Sequence, residues 1–203
     1  MESTTEIRRL QELMPASGRM MTKIVSKREQ TQVIDSSFPL PWQQERRISI
    51  NFDLWRRLPQ PQRDLLLLRT VSWLTAVKWF KPDIYQGVVL AGIVGATVEI
   101  LQGDAVGTVA AGALAAIAST RIWRNNHSSQ FQLSADEAAI RVAQRRGYSE
   151  AEAARHLLSA IESVAKIETR PGLDFIELIR CQNLRLISGL SPVGIPETIK
   201  EEG

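Results

Sequence analysis

The sequence predicts an α+β chain that is mostly helical, with small strands near its N-terminus and a two-helix apolar hairpin in its middle. Three observations predict it. Residues 46–52 alternate, with Ile48, Ile50 and Phe52 on one face and Arg47, Ser49 and Asn51 on the other, which is the pattern of a half-buried strand. Apolar residues recur at helical spacing in 5–13 and again from 131 to 187. Between these regions, 84–101 and 105–123 are the two strongest hydrophobic stretches, joined by Gln102-Gly103-Asp104.

Residues 5–13 place Ile7, Leu10 and Leu13 on one helical face, and Pro15 and Gly18 are expected to end that helix. Residues 20–25 and 31–35 carry β-branched content and could pair as short strands. Pro39 and Pro41 make 38–44 a loop. Asp53 to Leu58 reads as a turn or short helix closed by Pro59, and Pro61 fits the first turn of the next helix. That helix spans about 62–80, and Leu65 to Leu68 make it apolar on all sides, so it should be buried on most of them.

After the apolar stretches, 125–130 is a polar loop and 131–146 a helix with Gly147 at its C-terminal cap. Ser149 and Glu152 form a capping box for a helix running to about Ile167, with Ala153, Leu157, Ala160, Ile161 and Val164 facing inward. Arg170-Pro171-Gly172 breaks the chain before a last helix over about 174–187. Four parts result: 1–81, the hairpin 84–123, 124–188 completing the same domain as 1–81, and a flexible tail 189–203.

Net charge is only +3, but residues 1–81 hold 14 Lys/Arg against 8 Asp/Glu, whereas 121–203 hold 11 of each. A basic N-terminal half suits anionic headgroups or an acidic partner. The basic residues form no stripe interleaved with aromatics, which argues against nucleic acid. The single Cys181 excludes an internal disulfide, and its apolar neighbours Leu178, Ile179 and Leu184 suggest a buried thiol. The first residues carry no apolar run of the signal-peptide kind, so the body of the chain is expected in the cytoplasm.

Each apolar stretch is about long enough to span a bilayer. Gly87, Gly92 and Gly95 on the first, and Gly107 and Gly112 on the second, would let two helices approach closely. Lys78, Lys81, Arg121 and Arg124 flank the open end, so both termini are expected inside. Trp79 and Trp123 fall at that end, where indoles favour the interfacial layer, while Trp55 and Trp73 suit a core. A buried, soluble Ala/Gly-rich hairpin is the alternative.

The order of elements carries a resemblance. A strand at 48–52, read as edge-like, precedes the buried helix and the apolar hairpin. A helix with Ala135-Asp136 follows, then Gly147-Tyr148-Ser149 and an Ala-rich helix. This order resembles the HtpX-like membrane zinc metallopeptidases and the CAAX prenyl endopeptidases. It is more similar still to a family of uncharacterised cyanobacterial membrane proteins, a domain of unknown function. The shared features are Leu13-Met14-Pro15, the Leu-rich helix, the hairpin, and Ala135 to Ile140 with Gly147-Tyr148. The likeness spans most of residues 5–167 and implies a metallopeptidase-like helical core.

Zinc hydrolysis of this type uses two histidines at i and i+4, a glutamate beside the first as general base, and a third ligand from a later helix. Under the resemblance, Arg69 stands for the first histidine, Thr70 for the base, Trp73 for the second histidine and Gln132 for the carboxylate. Arg69 is a permanent cation, Trp73 offers no lone pair, and Gln132 could coordinate only weakly. Asp136, which would support a ligand in such enzymes, could pair with Arg69 instead.

His127 and His156 supply no pair at ligand spacing, no serine has a plausible base, and Gly92-Ile93-Val94-Gly95 lies inside an apolar stretch rather than after a strand. The expectation is therefore a non-catalytic, membrane-anchored pseudo-peptidase with no cofactor, in a thylakoid or plasma membrane. Its partners would be membrane lipids and a membrane-protein complex that it helps to assemble or turn over, and self-association is allowed. The alternatives are a hydrolase with a non-standard site and a soluble helical interaction protein.

Overall fold

A computed structural model describes residues 3–38, 45–76 and 129–190. These belong to one compact unit, built from both flanks of the central apolar stretch. Its elements in chain order are α1 (Ser3–Leu13), α2 (Ala16–Met21), β1 (Thr22–Ser26), β2 (Ile34–Ser36), β3 (Arg46–Ile50) and α3 (Phe52–Trp55). After these come α4 (Gln60–Ala76), α5 (Ser129–Gln144), α6 (Glu150–Ile167) and α7 (Phe175–Ile187). The described residues are thus mostly helical with one small sheet.

Two local expectations are corrected near the N-terminus. Residues 16–21 form a short helix, where strand was expected from residue 20. Gly18 does not serve to stop a helix. A Cβ there would lie 2.6 Å from the Val71 side chain, so glycine is what lets α2 press against α4.

The sheet order also differs. β1 and β2 do not pair with each other; both pair with β3, in the order β1-β3-β2, so the strand read as edge-like is central. β3 runs parallel to β1 and antiparallel to β2. The physical reason is burial: β3 places both Ile48 and Ile50 fully in the core, whereas β1 buries only Ile24 and β2 buries none of its three residues completely. Strands with little apolar payload fit edges. Asn51 then ends β3 by capping α3, accepting from the Asp53 and Leu54 amides while its own amide donates to the Arg28 and Gln30 carbonyls.

α4 divides the core. On one side Leu67, Val71 and Leu74 pack with Leu10, Met14, Ile48, Ile50 and Trp55; on the other Leu65 and Leu68 pack with Ala139, Leu157, Cys181 and Leu184. A helix that feeds two clusters has no polar stripe, which explains the run Leu65 to Leu68. Beyond Ala76 the expected extension to Phe80 lies outside the described residues.

The C-terminal helices follow the capping chemistry of the sequence. Gly147 adopts φ +96° and Tyr148 N–H bonds the Ala143 carbonyl at 3.2 Å, closing α5. The Ser149/Glu152 capping box opens α6, and a second box, Asp174/Glu177, opens α7. Gly189, at φ +73°, and Leu190 close α7 instead of beginning a loose tail, with Leu190 N–H bonding the Arg185 carbonyl.

α4 and α5 run antiparallel: Leu65 and Leu68 share a cluster with Ala139 and Ile140, while Arg69 reaches Gln132 and Asp136. The last turn of α4 and the first turn of α5 therefore lie at the same end of the unit. α7 runs alongside α5 in the same direction, pairing Ile179 with Leu133 and Arg180 with Asp136. Among the described residues no helix is long and apolar enough to cross a membrane. The expected hairpin 84–123, with Gly87, Gly92, Gly95, Gly107, Gly112, Lys78, Lys81, Arg121 and Arg124, lies outside them.

Candidate functional site

The position of interest lies where α4, α5 and α7 meet. α4 presents Arg69 and Trp73 one turn apart with Thr70 next to Arg69, and α5 presents Gln132 and Asp136 one turn apart. Asp136 is fully buried, at 0% exposure. A buried carboxylate must be paired, and its main partner is one that the sequence reading missed. Arg180 on α7 donates from Nε and Nη2 to the two carboxylate oxygens, at 2.8 Å each. This is the bidentate fork that makes Arg–carboxylate pairs strong.

Arg69 Nε also lies 3.4 Å from an Asp136 oxygen, within ion-pair range but without hydrogen-bond geometry. Its Nη2 donates to Gln132 Oε1. The structure thus brings Arg69, Gln132 and Asp136 together. The expected Arg69–Asp136 pair is present but secondary to Arg180. No local sequence pattern pointed to Arg180, which stands 44 residues from its partner. Its only signal was an arginine within an otherwise apolar helical face, beside Ile179, Cys181 and Leu184.

Two cations therefore share one buried carboxylate. Burial, and after it the charge of Arg180, pull the Arg69 guanidinium down to about 10, against the opposing pull of Asp136. It remains protonated at neutral pH. Burial acts downward on Arg180 too, but its fork with Asp136 outweighs burial and holds it above the usual value. Glu177 stands close by. Burial raises it, but the bidentate hydrogen bonds from Arg170, at 2.9 Å each, and the Asp174 amide outweigh burial, so Glu177 lies below the ordinary carboxylate range. Glu177 is thus forked by Arg170, and its charge also acts on Arg69 and Arg180.

Thr70 and Trp73 play other parts. The Thr70 hydroxyl donates to the Leu66 carbonyl at 2.9 Å, within its own helix. Trp73 is buried, edge-on to Phe38 with ring centroids 6.1 Å apart. Its indole N–H has no hydrogen-bond partner among the described residues, and neither has Arg69 Nε. Both residues line a cleft of about 260 Å³, together with Ser36 on the edge strand, Ile161, Glu177 and Arg180. Buried donors without acceptors are rare enough in native structures to need a reason.

Comparison with known proteins gives one result. A family model described as a protein of unknown function, DUF3318, matches residues 8–148. The chain belongs to the DUF3318 family. No curated protein and no solved structure matches it. The DUF3318 match starts inside α1 and ends on Tyr148, so it takes in Arg69, Gln132 and Asp136, while Arg180 and Glu177 lie beyond it.

His127 lies outside the described residues. His156 is half-buried, edge-on to Tyr148 at 6.1 Å. Cys181 has no exposed surface, and burial is the main force pushing its thiol up to about 11, as suits an inert core thiol. Among the described residues no three His, Cys, Asp or Glu side chains gather in a metal-holding group.

Proposed function

We propose that this DUF3318 protein is a non-catalytic, membrane-anchored binding protein whose frame descends from an HtpX-like zinc metallopeptidase. The observation that carries the reading is the chemistry of the Arg69–Gln132–Asp136–Arg180 cluster. Where such an enzyme would present lone pairs to a metal, this chain presents two guanidinium groups locked onto one carboxylate. Guanidinium has donors only and offers a metal nothing. The cluster's own carboxylate, Asp136, is tied up by the Arg180 fork.

The adjoining cleft supports binding. Trp73 Nε1 is a buried donor with no acceptor among the described residues, beside an edge strand. The two apolar stretches at 84–101 and 105–123 support a membrane anchor with both termini on the cytoplasmic side. The likeness to cyanobacterial membrane proteins favours a thylakoid or plasma membrane, and a role in assembling or turning over a membrane-protein complex.

The test is made on the full chain, affinity-tagged and extracted in detergent. The reading expects a chain that resists carbonate extraction, purifies without stoichiometric zinc, and brings down a defined membrane complex. Stoichiometric zinc would overturn the non-catalytic part of the reading, and release by carbonate would overturn the anchor.

A further inference from the structure

The end of the described unit from which the apolar stretch departs carries four of the seven large apolar side chains exposed among the described residues, Leu186 and Leu190 lying at the far end of α7. The chain leaves the described residues after Ala76 and re-enters at Ser129, and the antiparallel packing of α4 on α5 puts both points at one end. α7 begins at that same end, because Leu133 meets Ile179 one turn into each helix. Its first turns expose Phe175 at 69% and Leu178 at 54%, three residues apart and so on one face.

α2 reaches that end from the other side of α4. Gly18 packs on Val71, and Thr22, which follows α2, is the register partner of Arg46, whose guanidinium donates to the Leu74 carbonyl. Met20 and Met21, just before Thr22, are exposed at 87% and 40%. A single exposed apolar side chain means little. Four large ones flanking the exit and return of an apolar chain segment mean more.

We infer that this end is a lipid-contacting face, with Phe175 and Leu178 on one side and Met20 and Met21 on the other entering the headgroup–acyl boundary of a bilayer. The inference rests on the membrane-anchored reading above. The occupant follows from where the chain goes: residues anchored at Ala76 and Ser129 to bilayer-length apolar stretches hold this end within reach of the headgroups. Shallow burial of aromatic and aliphatic side chains at that depth is how interfacial surfaces bind. The charges agree on the α2 side, where Arg19, Lys23 and Arg47 are exposed against Glu45. On the α7 side the near acids are Asp174 and the half-buried Glu177, which Arg170 pairs, so there the contact is apolar.

The test uses the full chain in phosphatidylcholine vesicles, with and without anionic lipid, after carbonate washing. An environment-sensitive fluorophore is placed through Phe175→Cys or Met20→Cys, with Arg57→Cys at the opposite end of α4 as control. Cys181 has no exposed surface and does not compete for the label. The inference expects probes at 175 and 20 to shift to the blue and to resist aqueous iodide several-fold better than the probe at 57. A carbonate-resistant chain with all three probes equally quenched overturns this inference and leaves the anchor reading standing. A chain removed by carbonate overturns both. Shielding that persists in detergent and grows with protein concentration assigns the face to a second copy, and overturns the lipid assignment.

Discussion

Two buried ion clusters lie along α4, and they are built differently. Near its start, Glu6 accepts four hydrogen bonds, two from Arg9 and one each from Arg63 and the Trp55 indole. Arg9 also reaches Asp64, whose other oxygen accepts from the Tyr148 hydroxyl at 2.9 Å. Two carboxylates face two guanidiniums. In the second half of α4, Asp136 faces both Arg180 and Arg69. The first cluster is balanced and clamps α1, α3, α4 and the Gly147-Tyr148 turn together. The second sets two cations on one fully buried carboxylate, with the Arg170-forked Glu177 acting on both, and opens on a cleft.

Substitutions can break this contrast. The largest effect is expected at Asp136. Asp136→Ala strands two buried cations and should cost about 3–5 kcal/mol in unfolding of the detergent-purified protein. Arg180→Met should cost nearly as much, since it leaves Asp136 with one imperfect partner. Arg69→Met removes the more loosely held of the two cations and should cost less than about 1 kcal/mol. Equal losses for the two arginine variants would erase the asymmetry claimed here.

Glu6→Gln should rank next, at about 1.5–3 kcal/mol, because Arg9 retains Asp64. Its pH dependence sharpens the point. Burial raises the Glu6 carboxyl, but Arg9 and Trp55 hydrogen bonds and the Arg9 and Arg63 charges outweigh burial and hold it below 4.5. A depressed carboxyl contributes stability above its unfolded value and loses it as pH falls through the folded one. Melting temperature should therefore decline below about pH 4.5, and Glu6→Gln should flatten that decline. A parallel curve for the variant would remove Glu6 from the account.

The smallest effect is expected from Tyr148→Phe, about 0.5–1.5 kcal/mol for one hydrogen bond to Asp64. Burial, then the Asp64 hydrogen bond and charge, raise this phenol to about 12. Comparing the absorbance titrations of parent and variant should show a tyrosinate step near 12 that the variant lacks.

Much of the helical scaffold was legible because its signals are local. The Ser149/Glu152 box, the Gly147 cap and the all-round apolar helix carrying Leu65 to Leu68 depend on neighbours in sequence. Strand order was not legible, since β1 and β2 choose β3 through burial contributed by distant helices. The site was half legible. Spacing and resemblance picked out Arg69, Gln132 and Asp136, but Arg180 reaches them across the fold. Gly18 was misread for a related reason: a glycine needed for close approach to Val71 looks, in sequence, like one that ends a helix.

We propose that α4 and α5 form a metallopeptidase-like frame whose zinc position the Arg69–Asp136–Arg180 cluster fills. The most direct measurement is zinc binding by the full chain against a variant carrying Arg69→His, Thr70→Glu, Trp73→His and Gln132→Glu. The account predicts no stoichiometric zinc in the parent and one tightly held ion in the folded variant. Zinc held by the parent, or a folded variant that binds none, would contradict it.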